Sequence, residues 1–210
     1  MAKYQTIHSP FQGRVGNVIG SSWKGIPYMK ANNDRSNKRP SPAQLIERAK
    51  FRLLIRFVSS MGKLLMLTFK NSAIHMTGTN SAYSYNRIAI TGEYPGFSLD
   101  YTKVLISKGE LLNAGDPSAA PAGNGLVQFS WTDNSGMAMA NADDRSILVI
   151  HCPLLTQTAF TTAWPVRSSG VAVLNVSNFM GKQVQTWISF ISAGGEVATS
   201  IYTGELTIGQ

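Results

Sequence analysis

Apolar and polar residues repeat with a helical period after residue 40. Ser41 precedes Pro42 and lies three residues before Gln44, which is the spacing of a helix N-cap with proline at the first helical position. The pattern predicts a helix that runs to about Ser60, followed by a break at Gly62. Residues on one side of this helix are apolar: Ile46, Leu53, Phe57 and Met61. Three arginines fall within a narrow arc on the opposite side: Arg48, Arg52 and Arg56.

The segments before and after this helix carry weaker patterns. Residues 16–30 predict two short extended runs that turn near Lys24-Gly25, and Pro27 restricts the second run to a sheet edge. Residues 32–40 predict a flexible basic connector. A short helix is expected from about Ser81 to Ile90, and a period of two predicts a strand over residues 97–106.

The last third of the chain alternates strand-sized apolar runs with turn residues. Residues 113–124 are rich in Ala, Gly and Pro and predict a linker between two structural units. Strands are expected at residues 126–131, 147–152, 171–176, 184–192 and 197–202, with a hairpin at Gly194-Gly195. This spacing is typical of an antiparallel β-sandwich.

These patterns predict an α+β protein in which a basic N-terminal arm and a long helix precede an antiparallel β-sandwich. The expected organisation is a basic extended arm over residues 1–40, a helical and mixed segment over 41–112, a linker over 113–124 and a β-sandwich domain over 125–210. A chain of 210 residues has enough material for one large domain or two small ones.

Charge is distributed unevenly along the chain. Residues 1–70 contain thirteen Lys and Arg but two acids, whereas residues 71–210 contain six basic and nine acidic side chains. A polyanion such as nucleic acid would therefore be attracted mainly to the first third of the chain. The same charge equally suits docking on an acidic neighbouring subunit, because charge alone specifies only non-specific attraction.

Residue types with catalytic or metal-binding chemistry form no recognisable pattern. The three histidines, His8, His75 and His151, lie far apart, and none has metal-ligand spacing to another. Cys152 follows His151, but adjacent residues of a strand point to opposite faces and do not pair as nucleophile and base. Asp143-Asp144 lacks the pattern of a calcium loop and is expected in a solvated turn. We therefore expect no enzymatic activity, no metal and no cofactor.

The basic elements are the one plausible binding surface, for nucleic acid or for a protein partner. We expect it to include Arg14, Trp23, Lys24, Lys30, Arg35, Lys38, Arg39, Arg48, Arg52 and Arg56. Exposed aromatics among cations can stack on bases, although core or interface packing is the alternative for Trp23. Arg48, Arg52 and Arg56 repel one another without acids four residues away, so a counter-charge from outside would stabilise them.

Two stretches together resemble an uncharacterised bacterial family, a domain of unknown function. They are GNVIGSSWKGI at residues 16–26 and SPAQLIERAKF at residues 41–51, and the resemblance extends to residues 200–204. Separately, residues 127–131 and the hairpin at Gly194-Gly195 are similar to fibronectin type III or immunoglobulin-like strands. The Trp-Lys-Gly-Ile run ahead of the helix start is similar to segments of phage structural proteins. None of these resemblances implies a site residue.

We therefore expect a structural assembly protein, in the setting of a virion or phage-like particle, that uses its basic N-terminal region for subunit or nucleic-acid contacts. The alternative is a non-specific nucleic-acid-binding protein. The expected partners are a second copy or other structural subunits, nucleic acid in addition, and no membrane. The N-terminus lacks the apolar core of a signal peptide, and no apolar run reaches about 20 residues, so we expect synthesis in the cytoplasm.

Overall fold

The computed structural model divides the chain into two units, Met1–Ser41 and Pro42–Gln210. It describes residues 2–3, 11–23, 25–32, 39–162 and 165–209. The architecture of the described residues is mixed, with three α-helices and several antiparallel sheets, two of which stack in a sandwich-like arrangement. This mixed content agrees with the α+β class that the sequence predicts.

The first unit contains a four-stranded antiparallel sheet where the sequence predicts an extended arm. Its strands are β1 (Ala2–Lys3), β2 (Gly13–Val15), β3 (Val18–Trp23) and β4 (Ile26–Ala31), in the order β1-β4-β3-β2. Trp23 pairs with Ile26 across the predicted turn, where Gly25 has a φ of +79°. Tight turns thus fold this segment back on itself, which corrects the extended arm. Residues 33–38, the centre of the predicted connector, lie outside the described residues.

The predicted edge position of Pro27 is wrong. β4 lies between β1 and β3, so its strand is interior in the sheet. Among the described residues, β1 pairs with β4 at Tyr28 and Met29.

Three helices begin the second unit: α1 (Pro42–Ser60), α2 (Gly62–Thr68) and α3 (Gly78–Asn86). α1 occupies the range expected from the pattern that starts at Ser41, and α2 follows the expected break at Gly62. α3 begins and ends earlier than predicted. The side chain of Thr77 accepts a hydrogen bond from Asn80 N at 3.2 Å and caps the helix, which therefore begins at Gly78, three residues before the expected start.

The second unit contains nine strands among its described residues. They are β5 (Ile90–Thr91), β6 (Ser98–Leu99), β7 (Gly115–Gly123), β8 (Leu126–Thr132), β9 (Arg145–Cys152), β10 (Gln157–Thr161), β11 (Val171–Asn175), β12 (Gln183–Ile191) and β13 (Ile201–Thr207). They form a four-stranded sheet in the order β10-β9-β12-β13, a three-stranded sheet in the order β11-β8-β7, and the pair β5-β6.

The helices and the two larger sheets form three layers. One core lies between the helices and the four-stranded sheet, where Phe57 and Leu65 pack near Val149 and Trp187. A second core lies between the two sheets and includes Phe129. Every residue of β9 and β12 after the first is buried, because both faces of these strands are covered. The helical segment and the predicted sandwich domain therefore belong to one unit.

The predicted linker at residues 113–124 is wrong, since β7 occupies most of it. β7 pairs with β8 at the edge of the three-stranded sheet, and its register shifts between Gly115 and Ser118 and again between Pro121 and Gly123. An edge strand with such irregularities tolerates proline. The composition that indicated a linker is thus accommodated in an irregular edge strand.

The strand predicted over residues 97–106 is also shorter than expected. β6 ends at Leu99, and residues Tyr101–Lys103 form a short 3-10 helix. The side chain of Asp100 accepts a hydrogen bond from Thr102 N at 3.2 Å. This local turn interrupts the extended backbone that the alternation of apolar and polar residues had indicated.

Candidate functional site

The predicted binding residues divide between the two units. Lys24, Arg35 and Lys38 lie outside the described residues. The first unit contains Arg14, Trp23, Lys30 and Arg39. The second unit contains Arg48, Arg52 and Arg56, all of them exposed on α1. The described members of the expected surface are therefore considered separately in the two units.

One face of the N-terminal sheet combines basic and aromatic side chains. This basic–aromatic face consists of Arg14, Ile19, Ser21, Trp23, Ile26, Tyr28 and Lys30. Arg14 pairs with Ile19, which pairs in turn with Lys30, so a single isoleucine separates the two cations. Trp23 is 53% exposed, and Arg14 Nε donates to the carbonyl of Gly16 at 3.0 Å. Such cations can bind phosphates, and the exposed indole beside them can stack on a planar ring.

The opposite face of this sheet carries no charged side chain among the described residues. This apolar face consists of Gly13, Val15, Val18, Gly20, Ser22, Pro27, Met29 and Ala31. Phe11 lies so close that a Cβ at Gly20 would come within 2.7 Å of its ring, and Gly20 is the one buried residue among those described in the first unit. Val15 remains 67% exposed and Val18 also stays accessible. This face therefore leaves Val15 and part of Val18 in contact with water, while Pro27 and Met29 are half-buried.

The arginine stripe of α1 is exposed, as the helical period predicts. Phe57 and Met61, on the predicted opposite side, are buried, whereas Ile46 and Leu53 are only half-buried. Within the described part of the chain, no hydrogen bond or ion pair involves the side chains of the stripe: Arg48, Arg52 and Arg56. Their charge is therefore available to a ligand.

Two of these arginines line an open hollow of about 680 Å³ between α1 and α3. Arg48 and Arg52 lie on one row of α1, and Phe51 and Ile55 lie on the adjacent row. Tyr83 of α3 completes an apolar floor, with its ring centroid 5.3 Å from that of Phe51. We name this feature the arginine hollow. Arg56, one turn further along α1, does not line it.

A third arginine enters the arginine hollow from the short 3-10 helix Arg87–Ala89 that follows α3. Arg87 Nη2 lies 3.3 Å from Glu47 Oε2, and Lys50 Nζ lies 3.3 Å from the other oxygen of the same carboxylate. Glu47 is the one acid that lines the hollow. The lining therefore carries more positive than negative charge. Sequence reasoning missed Arg87 and Tyr83 because only the packing of α3 against α1 brings them there.

A buried ion pair at one end of the sandwich was not expected from the sequence. Arg167 and Asp144 are fully buried, and Arg167 Nη2 lies 3.0 Å from Asp144 Oδ2. Arg167 also donates to Asn134 Oδ1 at 2.7 Å and to the carbonyl of Leu112 at 2.8 Å, and its guanidinium lies 4.3 Å from the centroid of Phe190. The solvated turn expected for Asp144 is wrong, because this arginine draws the carboxylate inside.

His151 is also buried and does not form a catalytic pair with Cys152. Its Nδ1 lies 2.8 Å from Thr158 Oγ1, and its ring packs edge-on against Phe57 in the helix-facing core. Cys152 belongs to the core between the two sheets, as the strand period predicts. Burial lowers the pKa of His151 to about 4, so the imidazole is neutral near pH 7.

The described ranges contain no cluster of three or more His, Cys, Asp or Glu side chains placed to hold a metal ion. No helix in the described part of the chain has the length and hydropathy needed to cross a membrane.

The sequence was matched by one model of a known protein family. The model of a family of unknown function, DUF6266, matches residues 10–204. The chain belongs to this family. The DUF6266 match spans both the N-terminal sheet and the three-layer unit, and it confirms the family resemblance carried by residues 16–26 and 41–51. No curated protein matches the sequence significantly.

Among solved structures, this DUF6266 chain is similar to the fn3 domain of the human collagen alpha-1(XX) chain. The two share 13% sequence identity with a TM-score of 0.36, and the match covers 49% of this chain and 89% of that one. The likeness to phage structural proteins has no support from these comparisons.

Proposed function

We propose that this protein is a structural assembly protein, without enzymatic activity, whose N-terminal sheet attaches one copy to a second copy. The observation that supports this proposal is the apolar face of the N-terminal sheet. This face has no charged residue among those described, and Val15 on it is 67% exposed. A sheet of this size needs a covering layer for stability, and a partner subunit supplies one.

Charge complementarity favours a second copy as the partner. Residues 1–41 contain seven basic side chains and one acid, whereas residues 71–210 contain nine acids and six basic side chains. Several of these acids are exposed in the second unit: Glu93, Glu110, Asp116, Asp133, Asp143, Glu196 and Glu205. A basic segment of one copy is therefore attracted to the acidic surface of another, and salt weakens the attraction.

We propose no catalytic activity because of where the two most reactive side chains, His151 and Cys152, lie. His151 is buried and hydrogen-bonded to a threonine, and Cys152 faces another core. The proposal includes synthesis in the cytoplasm, as the sequence predicts. It does not extend to a virion or phage-like particle, because the comparisons give that setting no support.

A charge placed on the apolar face is expected to break the assembly. In Val15→Asp, docking would bury a carboxylate without a partner, which costs several kcal/mol. We expect the wild-type protein to form a defined oligomer that survives nuclease treatment, and Val15→Asp to lower its mass toward that of a monomer. Multi-angle light scattering at low and high salt, with and without nuclease, measures this.

The matched control is Ile74→Asp, because Ile74 is 72% exposed and lies in the second unit. This variant should keep the wild-type oligomer. A wild-type protein that is monomeric after nuclease treatment at every salt concentration would contradict the assembly proposal, as would equal losses in the two variants.

A second candidate function is non-specific nucleic-acid binding, which the basic–aromatic face favours. Arg14, Lys30 and the exposed Trp23 lie on this face, within reach of a phosphate backbone and its bases. Replacing Arg14 and Lys30 by glutamine should weaken binding of a random DNA duplex. The slope of log K against log salt should become shallower by about 2, because two phosphate contacts are lost.

The control for this test is the double variant Lys63→Gln/Lys70→Gln, which removes two exposed charges of the second unit. Binding that depends on the N-terminal face leaves this variant close to the wild type. An equal change of slope in both double variants would show attraction to net charge and would reject a role for the face.

A further inference from the structure

The arginine hollow combines two features that a single class of ligand matches. Its walls carry Arg48, Arg52 and Arg87, and its floor contains Phe51, Ile55 and Tyr83. A volume of about 680 Å³ lies within the roughly 300–1,000 Å³ typical of small-molecule sites. We propose that the arginine hollow binds a nucleotide, with the phosphate on the arginines and the base against the aromatic floor. It lies within Pro42–Gln210 and does not depend on the assembly proposed above.

Arg48 and Arg52 lie close enough together on α1 to bind one phosphate. Arg48 and Arg52 are four residues apart on α1, which separates them by about 6 Å along the helix axis. Neither has a hydrogen-bond or ion-pair partner within the described part of the chain. The planar guanidinium donates two parallel hydrogen bonds to phosphate oxygens, and two such groups on one row can hold one phosphate from the same side.

Arg87 has a different role because Glu47 holds it. The distance from Arg87 Nη2 to Glu47 Oε2 is 3.3 Å, and Lys50 binds the second oxygen of that carboxylate. Glu47 thereby orients Arg87 in the hollow, and its charge is offset by two cations. The acid therefore does not cancel the attraction of the hollow for an anion.

The floor is suited to a planar ring. Phe51 is 51% exposed although it is a large apolar side chain, and its ring lies 5.3 Å from that of Tyr83 with an angle of 51° between the planes. An incoming base would cover the apolar surface of Phe51 and Ile55 that water now contacts. A simple anion such as inorganic phosphate would leave this surface exposed, so the floor favours a ligand with both parts.

A nucleotide reaches this site either as a free mononucleotide or as part of a single strand, and the same chemistry binds both. The test is isothermal titration calorimetry of the full chain with dAMP, with a ten-residue oligo(dA) and with inorganic phosphate. We expect Phe51→Ala and Arg52→Gln each to weaken binding of the preferred nucleotide probe about tenfold, as loss of one stacking or one charged contact does. Circular dichroism checks that each variant is folded. Phe51 is 51% exposed, so we expect Phe51→Ala to keep the fold.

The matched control is Arg56→Gln, which removes the same charge from the same stripe outside the hollow. We expect this variant to bind dAMP within twofold of the wild type. Saturable binding of dAMP that depends on Phe51 and Arg52 assigns the site to free nucleotides, and binding of oligo(dA) alone with that dependence assigns it to a strand.

Three outcomes would overturn the proposal. Equal losses in Arg56→Gln and Arg52→Gln would show that the stripe attracts anions by charge alone. Inorganic phosphate as tight as either nucleotide probe, with Phe51→Ala unchanged, would reduce the hollow to a simple anion site. Absence of binding by all three probes at 50 mM salt would leave it without this function. None of these results affects the oligomer test at Val15.

Discussion

Replacing Arg167 by alanine is expected to lower the free energy of unfolding by about 3–5 kcal/mol, the cost of breaking a buried ion pair from one side. Domains of this kind have a total stability of roughly 5–15 kcal/mol, so the variant loses a large share of it. The reason is that Asp144 is fully buried and would lose the guanidinium that pairs with its carboxylate.

The loss goes beyond the ion pair because Arg167 joins separate segments of the chain. Its side chain donates to Asn134 and to the carbonyl of Leu112, and it covers the ring of Phe190. Alanine would leave both acceptors unpaired and a cavity beside the ring. Among the described residues, the hydrogen bond that would remain to the Asp144 carboxylate is the one from Asn141 N to Oδ2 at 2.9 Å, since Oδ1 has no partner.

Urea denaturation with linear extrapolation measures this effect. Arg145→Ala is the matched control: the same substitution at an exposed position one residue after Asp144 should change stability by about 0.5 kcal/mol or less. Arg167→Lys keeps the charge but loses the guanidinium fork and should fall between the two. A loss below about 1 kcal/mol for Arg167→Ala would place this pair with surface ion pairs and refute a structural role.

Arg167 also shows what a local pattern does not reveal. It follows Pro165-Val166 in a segment without apolar periodicity, and its partners lie 23 to 55 residues away in sequence. By contrast, the apolar run at residues 147–152 does predict β9. A continuous apolar run is expected for any strand that is covered on both faces. It therefore does not predict that helices cover one face of β9 and a second sheet covers the other.

The same distinction holds for the arginine hollow. The helical period of α1 predicts exposed Arg48 and Arg52, and the structure confirms their exposure. Tyr83 lies on α3 and Arg87 on the 3-10 helix that follows it, and the sequence placed the start of α3 three residues late because the cap is Thr77. The sequence did not predict β7 because its Ala, Gly and Pro residues have low strand propensity. Pairing with β8 overrides this local preference.

Acidification is expected to destabilise the protein between about pH 6.5 and pH 4 through His151. Its pKa is about 4 in the folded protein and about 6.5 in an unfolded chain. Above pH 6.5 the imidazole is neutral in both states, so stability is complete. As the pH falls, the unfolded state binds a proton that the folded state does not, and the free energy of unfolding drops by about 3 kcal/mol by pH 4.

The hydrogen bonds around His151 explain why the neutral form is favoured. Ser60 donates its proton to the carbonyl of Phe57 at 2.7 Å, so it accepts from Thr158 at 2.8 Å. Thr158 then accepts from His151 Nδ1. This chain of hydrogen bonds is complete when the imidazole is neutral. A second proton would place a positive charge on His151, which is only 2% exposed and packs against the ring of Phe57.

His151→Gln removes the titrating group while an amide can still donate to Thr158, so its stability should vary much less between pH 7 and pH 4.5 than that of the wild type. Urea denaturation at half-unit pH steps measures the difference, with His75→Gln, an exposed histidine, as the control. Hydrogen bonds from Thr102 and Ser135 lower the pKa of Asp100 and Asp133 below 3.8, so these carboxylates act below this window. Parallel pH profiles in His151→Gln and the wild type would show that another group carries the acid sensitivity.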